Sequence, residues 1–427
     1  MIFGFNGNAR MKTLAGALVL GMATIASAAQ AGTLVGGGAT LPAIGYGGDA
    51  THRQITPIDG SLLFQYTAAT GNATSYCQTG SGAGKNILAG VSGTNVQNTC
   101  PDGAATPTGF GAGAAGRSDL NKPNFAGADS PMSSTDYSNY VANRSGSFPV
   151  EFPAVAGAIA IAYNKTGLDT LNLSTAQVCQ IFSGQITSWH DIDSTLSGDI
   201  HVVYRSDGSG TTFGFSNHLS AVCGGTSSAH FVTDQTFSTG VMSKFFPSGV
   251  LPSAWVGQSG NQNVADYVAG NLNNDPEGTI AYVEAANALA LPHATVDNAD
   301  PFNDFGNAAL PISSGSIISN GVITGADLVT GRPTTAVLAS APANQCINLV
   351  DPTAYATPSS GYSIVAVSYL LANSATNGAD QTAVQGLMWA PYNSSITDQV
   401  SSIGVGTGLS FLSTGFTEAG VKGCVGQ

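Results

Sequence analysis

Fixed positive charge is scarce in this chain: 12 Lys and Arg stand against 25 Asp and Glu in 427 residues, a formal charge of −13. So acidic a molecule excludes nucleic acid and anionic membranes as partners of the protein as a whole. Metal spacing is lacking too. There is no C-x₂-C pair and no H-E-x-x-H, and the histidines at 52, 190, 201, 218, 230 and 293 show no ligand pattern. Each reads as a surface or satisfied core residue, so neither a metal nor a cofactor is expected. Enzyme signatures fail in the same way. No G-x-S-x-G elbow is present. "TGSGAGKN" (79–86) imitates a nucleotide P-loop, but Thr79 stands where the first glycine belongs and Asn86 where the Ser/Thr belongs. "GAGAAG" (111–116) matches G-x-G-x-x-G yet has no strand before it.

Long apolar runs are missing as well; none reaches the ~18 residues of a membrane span. The N-terminal run "TLAGALVLGMATIASA" follows Arg10 and Lys12 and ends at Ala29-Gln30-Ala31. It reads as a secretory signal peptide, residues 1–31, whose removal exports the chain and leaves it still more acidic. What remains is long enough for two or more domains. With 55 glycines and 43% hydrophobic residues it is loop-rich but folded.

All six cysteines, at 77, 100, 179, 223, 346 and 424, follow that segment. An even number in an exported protein implies disulfides. Neighbours in sequence are the expected pairs: Cys77–Cys100, Cys179–Cys223 and Cys346–Cys424.

The elements alternate. "GTLVGGGATLPAIGYGGDA" (32–50) predicts a strand, a glycine turn and a helix start. "SLLFQYTAAT" (61–70) predicts a strand, and "GSGAGK" (80–85) a tight loop leading into a short helix. Residues 91–124 form a long surface insertion that the 77–100 bridge would pin. "FAGADSPMSSTDYSNYV" gives a strand, a loop and a helix from near Ser133 or Ser134. "FPVEFPAVAGAIAIAYNK" (148–165) suits a strand buried on both faces. Further strand–helix pairs follow in "IHVVYRS" with "GTTFGFSNHLSAVC", in "GTIAYVEAANALA", and in "GYSIVAVSYLLAN" with "TAVQGLMWAPYNSS". "STAQVCQIFSG" and "NVADYVAGN" are helical. This order argues for an α/β fold with mainly parallel sheets.

One stretch concentrates chemistry. In "VVYRSDGSGTT" a buried strand ends at Arg205, and Ser209-Gly210-Thr211 open a helix. First-turn N–H groups lack internal partners and carry the positive end of the helix dipole, so they bind oxyanions. Arg205 adds a forked donor. The bland alternative is a serine N-cap with Arg205 paired to Asp207, and this stretch alone does not decide. Three more loops follow strands: Thr40 in "GGGATLP", Ser81 in "TGSGAGK" and Asp129 in "FAGADSP". Open α/β sheets bind ligands at such strand ends.

Together with "VAGAIAIAYN", "VCQIFSGQITSWHDI", "GNQNVADYVAG" and "GTIAYVE", these motifs resemble the phosphate-binding proteins of bacterial phosphate ABC transporters, most closely their DING-type relatives. The likeness covers roughly 33–290 and thins towards Gln427. It implies a two-domain α/β periplasmic binding protein, type II-like, with a hinge and an interdomain cleft: 33–150 plus 290–427 in one domain, 151–289 in the other. It implies inorganic phosphate as ligand, held by Thr40, Leu41 (through its N–H), Ser81, Asp129, Arg205, Ser209, Gly210 and Thr211. It further implies a monomer, periplasmic or secreted, that serves an ABC transporter permease and is not an enzyme. The alternatives it leaves are a secreted phosphatase and a surface or adhesive phosphate scavenger.

Overall fold

The computed structural model describes residues 32–226, 228–306, 310, 312–339 and 346–426. The expected signal peptide lies outside them. The centre is the strand Pro149–Asn164, sixteen residues long and buried at every position but the last. Its sequence is nearly uncharged and rich in Val, Ile and Ala, so it is covered on both faces. It pairs antiparallel with Val365–Asn373 on one side and with Thr279–Glu284 on the other. Along the sheet the order is Gln54–Ile55, Thr74–Gln78, Leu34–Gly38, Phe125–Ala128, Val365–Asn373, Pro149–Asn164, Thr279–Glu284, His201–Arg205 and Val256–Gln258.

Each flank of this sheet has a parallel core. Leu34–Gly38 runs parallel to Thr74–Gln78 and to Phe125–Ala128, and His201–Arg205 runs parallel to Thr279–Glu284 and to Val256–Gln258. The mixed α/β architecture matches expectation. All three disulfides join sequence neighbours, Cys77–Cys100, Cys179–Cys223 and Cys346–Cys424. Closing loops of this size stabilises the fold by roughly 3–4.5 kcal/mol each in the chain-entropy account. Residues 91–124 contain no helix or strand, and the first bridge fixes their base.

Two expectations need correction. Residues 61–70 are not a strand but a helix, Leu62–Thr70, capped by Gly71 at φ 76°. Leu62, Leu63 and Tyr66 are its buried face, and the Tyr66 hydroxyl donates to Ala383 O at 2.7 Å. Helical spacing and the glycine stop outweigh the β propensity of Phe, Tyr and Thr. Likewise "GSGAGK" is no loop before a helix: the helix Ser81–Ala89 begins inside it, with Gly80 at φ 83° as its N-cap.

Candidate functional site

Seven of the eight predicted side chains or backbones converge where strand ends face one another, and the eighth, Leu41, reaches the same point through its N–H. Thr40 follows Leu34–Gly38, Ser81 follows Thr74–Gln78, and Asp129 follows Phe125–Ala128. Arg205 ends His201–Arg205, and Ser209 caps the helix Gly210–Val222 by accepting from Thr212 N at 3.1 Å. Thr40, Ser81, Asp129, Arg205, Ser209 and Thr211 are all 3% exposed or less. Three helices start here, Ser81–Ala89, Gly210–Val222 and Asn261–Ala269, so three positive dipole ends meet.

The facing loops touch directly. Ser81 Oγ accepts from Asp129 N at 3.0 Å and from Gly210 N at 3.2 Å, and Gly82 N donates to Gly208 O at 3.0 Å. Glycine is required at 210: an added Cβ would sit 2.2 Å from Asp129 Cβ. Gly80 is required for its left-handed φ, and its Cβ would fall 2.5 Å from Asp207 Oδ2.

Arg205 is paired with Asp207, as the second reading of this stretch has it. Its Nε donates to Asp207 Oδ1 at 2.7 Å and its Nη2 pairs with Asp207 Oδ2 at 2.5 Å, while Nη1 points to Thr211 Oγ1 at 3.3 Å. Burial alone would raise the Asp207 pKa, but the Arg205 charge and hydrogen bonds outweigh it and hold the carboxyl low. The pair is neutral in sum, and the bidentate fork fixes which guanidinium edge remains for a ligand. Arg205 therefore acts as an oriented donor more than as a free charge.

Asp129 is set differently. Burial pushes its pKa up to about 7, against the pull of Ser368, Arg205, the Leu41 N–H and Ser81. Its Oδ1 is buried with no hydrogen-bond partner among the described residues, and so is Ser368 Oγ. Ser368 is the first of the groups that favour its charged form. Asp129 Oδ2 lies 3.5 Å from Ser81 Oγ.

Sequence reasoning missed Asn261. This side chain is fully buried; its Nδ2 donates to Thr40 Oγ1 at 3.0 Å and to Thr211 Oγ1 at 3.2 Å, and its Oδ1 accepts from Glu284 N at 3.2 Å. The available signal was "GNQNVADYVAG", where Gly260 precedes a helix just as Gly80 does. A groove of about 240 Å³ opens over Thr40 and Asn261, bordered by Arg53 and Gln78. A larger cavity of about 390 Å³, lined by Lys85, Ser130, Asp136 and Gln235, adjoins the site but includes none of the eight predicted residues.

Residues 27–389 match a family model described as a PBP superfamily domain. Alkaline phosphatase L of Pseudomonas aeruginosa is 30% identical over 353 residues, 81% of this chain and 76% of its own. Phosphate-binding protein PstS 3 of Mycobacterium leprae is 39% identical over 139 residues, 30% of this chain and 37% of the relative. Among solved structures, a phosphate binding protein from Stenotrophomonas maltophilia superposes with a TM-score of 0.56 at 24% identity, covering 85% of this chain and 84% of that one. A high affinity periplasmic phosphate-binding protein solved with phosphate bound gives 0.57 at 24% identity, covering 92% and 99%. At these identities the structural likeness is one of fold.

Proposed function

The chain belongs to the PBP superfamily, and from that premise we propose that it binds inorganic phosphate with high affinity outside the cytoplasm and delivers it to the permease of an ABC transporter. The ligand set is Thr40, the Leu41 N–H, Ser81, Asp129, Arg205, Ser209, Gly210 and Thr211. The protein works as two lobes, 33–150 plus 290–427 and 151–289, that close on the anion.

One observation carries this reading: a buried carboxyl group, Asp129, stands where three helices start, with its Oδ2 3.5 Å from Ser81 Oγ. A carboxylate repels an anion unless the anion brings a proton. Phosphate near neutral pH retains one, and its P–OH donates to Asp129. Sulfate has none and would leave a buried acceptor unmet, at a cost of about 1–3 kcal/mol or more. Arg205 Nη1, the Ser81 and Thr40 hydroxyls and the first-turn N–H of Thr211 serve the remaining oxygens. Selection thus comes partly from rejection. Calorimetry on the stripped mature protein is expected to give heat with phosphate and far weaker binding of sulfate. No phosphate heat would sink the proposal.

A second reading, phosphate-ester hydrolysis, takes its support from the name of the Pseudomonas relative and from the Ser81 hydroxyl beside Asp129. It demands turnover of an aryl phosphate, measured with and without a chelator. The binding proposal expects none.

A further inference from the structure

Three buried polar atoms lack hydrogen-bond partners at one place behind the anion site: Asp129 Oδ1, Ser368 Oγ and the Tyr46 hydroxyl. Their proximity follows from the sheet. Tyr369 faces Ala128 across the antiparallel pair of Val365–Asn373 and Phe125–Ala128, so Ser368 and Asp129 are the next facing residues. Against Pro149–Asn164 on its other side, the same strand shifts register between Ser368 and Tyr369. Such irregularities re-aim a side chain, and here the one re-aimed is a serine in an otherwise apolar run. Tyr46 lies on the short helix Ala43–Gly47 that follows Leu41, and all three side chains are 1% exposed or less.

We propose that Ser368 is a specificity-determining residue of this site: Tyr46 donates to Ser368, Ser368 donates to Asp129 Oδ1, and this hydroxyl chain keeps the carboxylate an acceptor towards its ligand. The inference rests on the phosphate reading. Proton counting forces the direction. Tyr46 and Ser368 each hold one hydroxyl proton and ionised Asp129 holds none, so both bonds run towards the carboxylate. Without the Ser368 hydroxyl, Oδ1 would be buried and bare, and Asp129 would keep a proton of its own. A protonated Asp129 donates, and a donor at this position no longer rejects an anion without protons.

The other groups acting on Asp129 are Arg205, which favours its charge, and Glu284, Tyr46 and Tyr76, whose ionised forms would oppose it. Glu284 is itself driven to its neutral form by burial, and both tyrosines by the same cause. Of the side chains that favour the charged form of Asp129, Ser368 pulls hardest.

The test measures phosphate and sulfate affinities by calorimetry from pH 6 to 9 on the full mature chain. Alongside it, the Asp129 carboxyl is titrated by carbon NMR in ligand-free protein, with Asp129→Asn to assign the signal. Ser368→Ala is expected to cut the phosphate-to-sulfate ratio about tenfold and raise the Asp129 midpoint by about one pH unit, the worth of one hydrogen bond to a charged group. Tyr46→Phe should act in the same direction but less, and Ser368→Thr, which retains the hydroxyl, should restore both readouts. A purely structural role would weaken both anions equally and leave the midpoint in place; that result overturns the inference. If Ser368→Ala does not fold, an unmoved midpoint in Tyr46→Phe overturns it instead. If the wild type does not bind phosphate, the phosphate reading fails, and the ligand-free titration still decides what Ser368 does.

Discussion

Asp129 holds two opposing demands in one residue. Burial favours its neutral form, while the proposed role of accepting from a P–OH needs its charged one. Between the ordinary carboxyl value of about 3.9 and the raised value of about 7, the folded protein binds a proton that the unfolded chain does not. Stability from this group is therefore complete below about pH 4 and is lost as pH climbs through 7. Asparagine carries no such penalty. In ligand-free protein, Asp129→Asn is expected to match the wild type at pH 4 and to be more stable at pH 8, by about 4 kcal/mol at most. Melting curves at the two pH values check this, and a gap that does not widen with pH would refute it. The same variant should narrow the preference for phosphate over sulfate, since an amide can donate to either anion. Glu151, raised to about 8 by burial, adds a pH slope of the same sign that the substitution leaves in place.

At the scale of elements, the site is a meeting of helix starts, and the glycines there are spacing devices. Gly210→Ala would drive a methyl into Asp129, with Cβ and carbonyl carbon at 2.2 and 2.5 Å. Relieving that clash displaces the donors by about an ångström, and a shift of that size is costly where ligand groups must be held in one geometry. The expected result is a loss of phosphate affinity of about tenfold or more, with a smaller change in melting temperature. Gly224→Ala, which meets nothing within 4 Å, is the control and should bind as the wild type does. If both variants bind equally, the close approach of the two loops is not what positions the anion. The strand-to-helix loops were readable because each is local: an apolar strand, a small-residue turn and a capped helix stand next to one another in sequence. Asn261 and Ser368 were not. Asn261 matters because it ties Thr40 to Thr211 across two distant segments, and Ser368 because Val365–Asn373 pairs with strands more than 200 residues earlier in the chain. Register between distant strands leaves no local pattern. Residues 61–70 failed for the opposite reason, since local propensity pointed to a strand while burial of Leu62, Leu63 and Tyr66 made a helix.

At the scale of the molecule, an acidic chain binding an anion is no contradiction. Arg205 is matched by Asp207, so the site offers oriented dipoles, and distant surface charge is screened within about 8–10 Å. The two-lobe proposal then gives the anion a mechanical part. Thr40, Ser81 and Asp129 hang from strands on one flank of the sheet, while Arg205, Gly210 and Asn261 hang from the other. Between them the central strand Pro149–Asn164 runs unbroken. Across the site the flanks meet through hydrogen bonds that include Gly82 to Gly208, Gly210 to Ser81, Asn261 to Thr40 and Ser130 to Gln235. Each such bond is worth about 1 kcal/mol net. Under the two-lobe proposal, a phosphate that takes donors from both flanks adds to these bonds and shifts the population towards the closed form. Small-angle X-ray scattering is expected to show the radius of gyration falling when phosphate is added to stripped protein, with sulfate at the same concentration having little effect. An unchanged radius in protein that calorimetry shows to be phosphate-loaded would mean that the flanks are already closed without ligand, and that discrimination rests on the preformed cluster alone.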